Sequence, residues 1–192
     1  MNTSPALAPV HDFFNHPEEL PMKVHPITLP AFGAVIAGQG GMLAAILRGP
    51  TVDGIEQPPF ALLVSDAAVG EFEDIAWGEY GKDVPGTSSR TDGKANTEAM
   101  ALASCPAALK VRELTIDGHN DWYLPSLGEL NSAAANVPEL FSKDDWYWTS
   151  TQDSRDDAFV QDFEDGSSGW DGKGGEHRVR AFRAIPLDAL NT

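Results

Sequence analysis

The sequence predicts an α+β domain of short antiparallel strands with two helices, preceded by an extended N-terminal arm. Three observations predict it. Glycine (18) and proline (14) punctuate a chain of 192 residues, which leaves little room for long elements. Apolar runs are short and bounded by turn residues, as strands are. Only two segments, near residues 96 and 126, open with helix-start signals.

Residues 1–26 hold five prolines and show no sustained period, so they read as an extended arm. Its Leu7, Val10, Phe13, Phe14, Leu20 and Met22 favour docking on a neighbouring surface over free solvation. The domain proper is expected over residues 27–188. Residues 31–47 (AFGAVIAGQGGMLAAIL) are uncharged, but the Gly38-Gln39-Gly40-Gly41 turn splits them into two strands of a hairpin. That split argues against a membrane span. The run FALLVS at 60–65 is a buried strand, 70–81 is partly alternating, and 82–95 is a polar surface loop.

The first helix is expected to open at Asn96 or Thr97 and to end or kink at Cys105, because Pro106 cannot continue it. In DWYLPSLGEL (121–130), Pro125 keeps Leu124 extended, and Ser126 with Glu129 fits a capping box that starts the second helix. Strands are then expected at 146–151, 158–163 and 178–185, separated by Asp-, Ser- and Gly-rich loops.

The formal charge of −16, from 29 acids against 13 bases, opposes binding to nucleic acid and to anionic membranes. The single cysteine, Cys105, excludes an intrachain disulfide and reads as a small buried apolar residue. The N-terminal stretch has neither a basic nor an apolar signal region, so no secretory signal is expected. His11, His16, His25, His119 and His177 match no metal spacing, and no nucleophile elbow, P-loop or dinucleotide fingerprint occurs.

Four signals follow one another: DWYLPSLGEL, WYWTST, AFVQDFEDG and RVRAFRAI. In this order they resemble the bacterial and phage Lcl C-terminal-like (DUF1566) family. The matching positions are Asp121, Trp122, Leu124, Pro125, Ser126, Glu129 and Leu130; Tyr147 to Thr151; Gly166; and Val179, Arg180, Phe182 and Arg183. The resemblance spans about residues 92–186 and implies a C-type-lectin-like fold. Within it, Trp122, Leu124, Pro125, Ser126, Glu129, Trp148, Ser150, Arg180 and Arg183 are scaffold. Glu129 is one partner to consider for either arginine.

The candidate contact surface lies in the loops at 152–157 and 167–178. It comprises Gln152, Asp153, Arg155, Asp156, Ser168, Trp170, Asp171, Lys173 and His177, with Trp170 exposed in a glycine-rich loop. No catalytic residue and no cofactor is expected, although the carboxylates of these loops leave calcium open. The calcium-and-sugar signatures of animal C-type lectins are missing. The resulting expectation is a non-enzymatic phage virion protein: a tail-fibre, receptor-binding or capsid-decorating component anchored by its arm. Its partners would be other virion proteins, a host receptor or a glycan, and it would self-associate, with a trimer as one form. The alternatives are an adhesin-type lectin and a glycan hydrolase using two loop carboxylates.

Overall fold

Glycine placement shapes the first strands. In the turn after β1 (Val35–Ile36), Gly38 and Gly40 take φ of 67° and 75°, which returns the chain antiparallel as β2 (Gly41–Leu47). The computed structural model describes residues 29–52 and 54–191; the arm expected over 1–26 lies outside the described residues. A small ribbon, β3 (Thr51–Val52) with β4 (Ile55–Glu56), precedes β5 (Phe60–Ser65). Beyond it come α1 (Ala67–Gly70) and β6 (Glu71–Ala76), then α2 (Gly93–Leu102), α3 (Pro106–Arg112) and α4 (Leu127–Asn136). The chain continues through β7 (Tyr147–Gln152), β8 (Asp157–Gln161), β9 (Ser168–Gly172), β10 (Glu176–Arg180) and β11 (Phe182–Pro186).

Two larger sheets result, ordered β1-β2-β5-β11 and β6-β10-β7-β8-β9. A single interrupted ladder joins them. Pairing runs from Phe60↔Pro186 to Val64↔Phe182, pauses at Ala181, and resumes from Glu71↔Arg180 to Ala76↔Glu176. At the pause Ser65 N donates to Ala181 O and Ala181 N donates to Gly70 O (3.0 and 2.9 Å), so α1 is looped out between them. Pairing is antiparallel except at β10 and β7, which run parallel through Arg178↔Tyr147. The expectation of antiparallel strands fails there because the ladder with β6 sets the direction of β10.

Burial follows from these layers. β5 lies between β2 and β11 and is covered on both faces, which is why FALLVS lacks alternation. Trp77, Trp122, Leu124, Trp148 and Val179 pack with residues of α2 and α3 in one core cluster. Leu62, Tyr123, Leu130, Phe141, Tyr147 and Phe182 form a second around α4. Trp122 and Trp148 are 2% and 0% exposed.

The helices differ from the two expected. Pro106 ends one helix and starts another: α2 stops at Leu102, and Pro106 is the first residue of α3. The cap of α2 is Asp92, whose Oδ1 accepts from Ala95 N (2.9 Å), and not Asn96 or Thr97. Both of those are buried. Asn96 donates to Ser89 O (2.7 Å), and Thr97 donates to Gly93 O (2.7 Å) while accepting from Leu124 N (3.0 Å). Among the described residues no helix is long and apolar enough to cross a membrane.

Candidate functional site

Among the described residues the five-stranded sheet ends in β9, an edge strand paired only with β8. Its register sets Ser168 opposite Gln161, Trp170 opposite Phe159 and Gly172 opposite Asp157. Directly opposed residues share a face, and so do residues two apart. Ser168, Trp170 and Gly172 therefore line one face with Phe159. Trp170 is 67% exposed on it. The glycine-rich segment thus contains a strand where a loop was expected.

Neighbouring elements extend this face. Tyr80, 65% exposed, lies beside Gly172: a Cβ built there would stand 3.7 Å from the tyrosine ring. The next residue, Gly81, sits against the Arg155 and Asp156 side chains, which pair weakly with each other at 3.6 Å. The Arg90 guanidinium covers the Phe159 ring at 4.7 Å. At the far end the Ser168 hydroxyl lies 2.9 Å from Asn131 Oδ1 and 2.8 Å from Gln161 Oε1. The face therefore offers two exposed aromatic rings, a cation–carboxylate pair and a polar corner.

The opposite face of β9 is anchored. Asp171 Oδ2 lies 2.8 Å from His177 Nε2, and Asp145 Oδ1 lies 3.1 Å from His177 Nδ1. Trp148 meets the imidazole edge-on with centroids 4.8 Å apart. His177 thus ties β9 to the chain preceding β7, and belongs to the scaffold more than to a contact surface.

Lys173 is a clear correction, because it is fully buried. Its ammonium donates to Lys82 O (2.8 Å), Gln152 Oε1 (2.6 Å) and Arg155 O (3.1 Å), and it lies 4.8 Å from the Trp77 ring centroid. Burial pushes its pKa below the ordinary lysine value. Gln152 is committed to the same network, since its Oε1 also accepts from Val84 N and its Nε2 donates to Asp83. A buried ammonium with three internal acceptors holds the ends of β7 and β9 together. Lys173→Ala is therefore expected to lower stability by about 2–3 kcal/mol, because those acceptors lose their donor. Thermal melting checks this, and an unchanged midpoint would contradict it.

The structure brings Trp170, Ser168, Arg155 and Asp156 to one region. Asp171 and His177 lie behind it, Asp153 sits exposed in the β7–β8 turn, Gln152 is half-buried and Lys173 is interior. The sequence reading missed Tyr80, Arg90, Phe159 and Asn131, because only the fold brings four separate segments together. Among the described residues no group of three or more His, Cys, Asp or Glu side chains is placed to hold a metal ion.

The arginines find partners other than Glu129. Arg180 binds Glu71 and the carbonyl of Ser65, whereas Arg183 binds Asp121 and Gln39. Glu129 is occupied by Tyr123, Ser126 and Gly93.

A family model described as the Lcl C-terminal domain matches residues 74–183, more than half of the chain. The chain belongs to the Lcl C-terminal domain family. The matched region holds the five-stranded sheet from within β6 onward, α2 to α4, and every residue of the contact face. Among solved structures, the chain is similar to a fimbrial protein from Bacteroides ovatus ATCC 8483, with a TM-score of 0.54 at 14% identity. That match covers 78% of this chain but only 44% of the fimbrial protein, and at this identity it speaks to fold alone. No curated protein matches the sequence.

Proposed function

We propose that this Lcl C-terminal domain protein is a non-enzymatic binding module of a surface structure, and that it engages its partner through the Trp170–Tyr80 face. One observation carries the reading: two large aromatic side chains, each about two-thirds exposed, stand on the same face of an edge strand. Exposed aromatics beside hydrogen-bonding groups gain most from contact with a sugar ring or a protein surface. Arg155, Asp156, Ser168 and Asn131 supply the polar rim.

The finer reading is a C-type-lectin-like domain of a phage virion, as tail fibre, receptor-binding protein or capsid decoration. Residues 1–26 would anchor it. The order of the family motifs supports this reading, and the fimbrial protein of similar fold supports a surface structure in general. An arm that anchors by self-assembly makes the full chain an oligomer and the chain beginning at residue 27 a monomer, which light scattering separates.

The binding role is tested with labelled full-length protein on a glycan array and on intact bacterial cells. Retention on one glycan class or one cell type, without turnover, is expected. Hydrolysis of an arrayed glycan would sink the non-enzymatic reading, and retention that survives loss of both rings in Trp170→Ala with Tyr80→Ala would sink the Trp170–Tyr80 face as the contact.

A further inference from the structure

We infer that the free edge of β9 docks an extended basic polypeptide segment as a sixth strand of the five-stranded sheet. The ladder geometry makes the edge available. Asp162 N donates to Ser167 O (2.8 Å) and Lys173 N donates to Asp156 O (2.9 Å), which marks these as hydrogen-bonded pairs. Such pairs alternate along antiparallel strands, so the backbone groups of Ser168, Trp170 and Gly172 point away from β8. The Gly172 carbonyl accepts from Gly175 N (2.7 Å). The N–H and C=O groups of Ser168 and Trp170 have no protein partner among the described residues.

Natural sheets usually blunt such an edge with lysine, proline or a bulge. β9 (SGWDG) has neither lysine nor proline, and its five-pair register with β8 is unbroken. An extended chain laid along it meets a ready template, as in strand addition generally.

Charge and alternation select the occupant. Within residues 152–176 eight carboxylates stand against Arg155 and the buried Lys173. A second copy would bring the same acidic edge against this one, so a self-paired sheet is disfavoured. The chain's own residues 1–28 carry Asp12, Glu18 and Glu19 against Lys23, so they do not offer complementary charge. A separate chain that alternates lysine or arginine with apolar residues fits. Its apolar side chains would share the face of Trp170, and its cations the face of Asp171.

The inference rests on β9 being a contact surface but uses its backbone, not the indole. The test is titration of the isotopically labelled full chain with capped heptapeptides, with amide exchange read by NMR. The probes are Lys-Val-Lys-Val-Lys-Val-Lys, the same peptide N-methylated on alternate backbone nitrogens, and Glu-Val-Glu-Val-Glu-Val-Glu. The lysine peptide is expected to slow exchange at Ser168 and Trp170 by about tenfold or more, and the other two to leave it unchanged. Equal binding of the N-methylated peptide would reduce the effect to charge attraction and overturn the inference, as would no slowing at all. Concentration-dependent protection in the protein alone would make a second copy the occupant and also overturn it.

Ser168→Pro removes one outward donor while leaving the ladder to β8 intact. Against Ser168→Ala, which loses the same hydroxyl contacts to Asn131 and Gln161 but keeps the N–H, it is expected to weaken the lysine peptide about tenfold at an equal melting temperature, and equal affinity in the two variants would count against the edge. Trp170→Ala separates the two proposals, because it deletes the ring and keeps the backbone. Loss of surface retention with persistent protection at Ser168 leaves both standing. Retention by the rings without any peptide-induced protection leaves only the first.

Discussion

Replacing Arg180 by alanine is expected to destabilise the fold by about 3–5 kcal/mol, a drop in melting temperature on the order of 10 °C for a chain of this size. Arg180 is 2% exposed at the junction where the interrupted ladder passes from one sheet to the other. Its Nε and Nη2 both donate to Ser65 O (3.0 and 2.6 Å), and its Nη1 donates to Glu71 Oε2 (2.6 Å) and Leu140 O (3.3 Å). The guanidinium carbon lies 5.4 Å from the Phe141 ring centroid.

The partners make the loss large. Glu71 also accepts from the Tyr147 hydroxyl (2.9 Å) and Arg178 Nη1 (2.9 Å), so one carboxylate links β6, β7 and β10. Without Arg180 the Ser65 carbonyl loses both its guanidinium donors in a water-poor setting. Arg180→Lys is expected to recover only part of the stability, because a point charge cannot make the forked contact to Ser65 O and reach Glu71 together. Full recovery in the lysine variant would show that charge, and not geometry, is what the junction needs.

Glu129→Ala is expected to have an effect of the same order, about 3–5 kcal/mol, for a different reason. Glu129 is 3% exposed and belongs to the capping box of α4. Its Oε2 accepts from Ser126 N (2.7 Å), Ser126 Oγ (2.7 Å) and Gly93 N (3.0 Å), and its Oε1 accepts from the Tyr123 hydroxyl (2.8 Å). A single carboxylate thus satisfies orphan donors at the starts of both α2 and α4. The approach is so close that a Cβ at Gly93 would lie 2.4 Å from Glu129 Oε2, which explains the glycine.

Burial pushes the Glu129 carboxyl above its ordinary 4.5, against the downward pull of those four hydrogen bonds. The folded state therefore binds that proton more tightly than the unfolded chain does. The resulting increment is fully present below the unfolded value and is lost as pH rises through the folded one. The melting gap between wild type and Glu129→Gln should accordingly narrow as pH rises above the ordinary carboxyl range. A gap that widens instead would mean the hydrogen bonds outweigh burial.

Local chemistry made much of this fold legible. Ser126 with Glu129 announced the start of α4, Pro106 announced a helix break, and Trp122 and Trp148 announced core positions. Signals that depend on distant partners were not readable. Nothing near Lys173 in the sequence shows that Gln152 and two carbonyls surround its ammonium. Glu71 and Asp121 stand far along the chain from Arg180 and Arg183, so a nearer carboxylate looked as suitable. Strand β9 was hidden because SGWDG lacks β-branched residues; pairing with β8, and not propensity, makes it a strand. Tyr80 was passed over for the same reason, since only the fold sets it beside Gly172.

The central claim is that the Trp170–Tyr80 face is where this protein touches its partner. The most direct measurement compares retention of wild type, Trp170→Ala and Leu102→Ala on the array or cells that retain the wild type, with melting curves alongside. Leu102 is 90% exposed on α2 and is not one of the contact-face residues, so it controls for generic loss of apolar surface. The predicted result is a loss of about tenfold or more in Trp170→Ala, about 1.4 kcal/mol, with Leu102→Ala unchanged and all three melting alike. Equal retention by all three would place the contact elsewhere on the molecule and contradict the account.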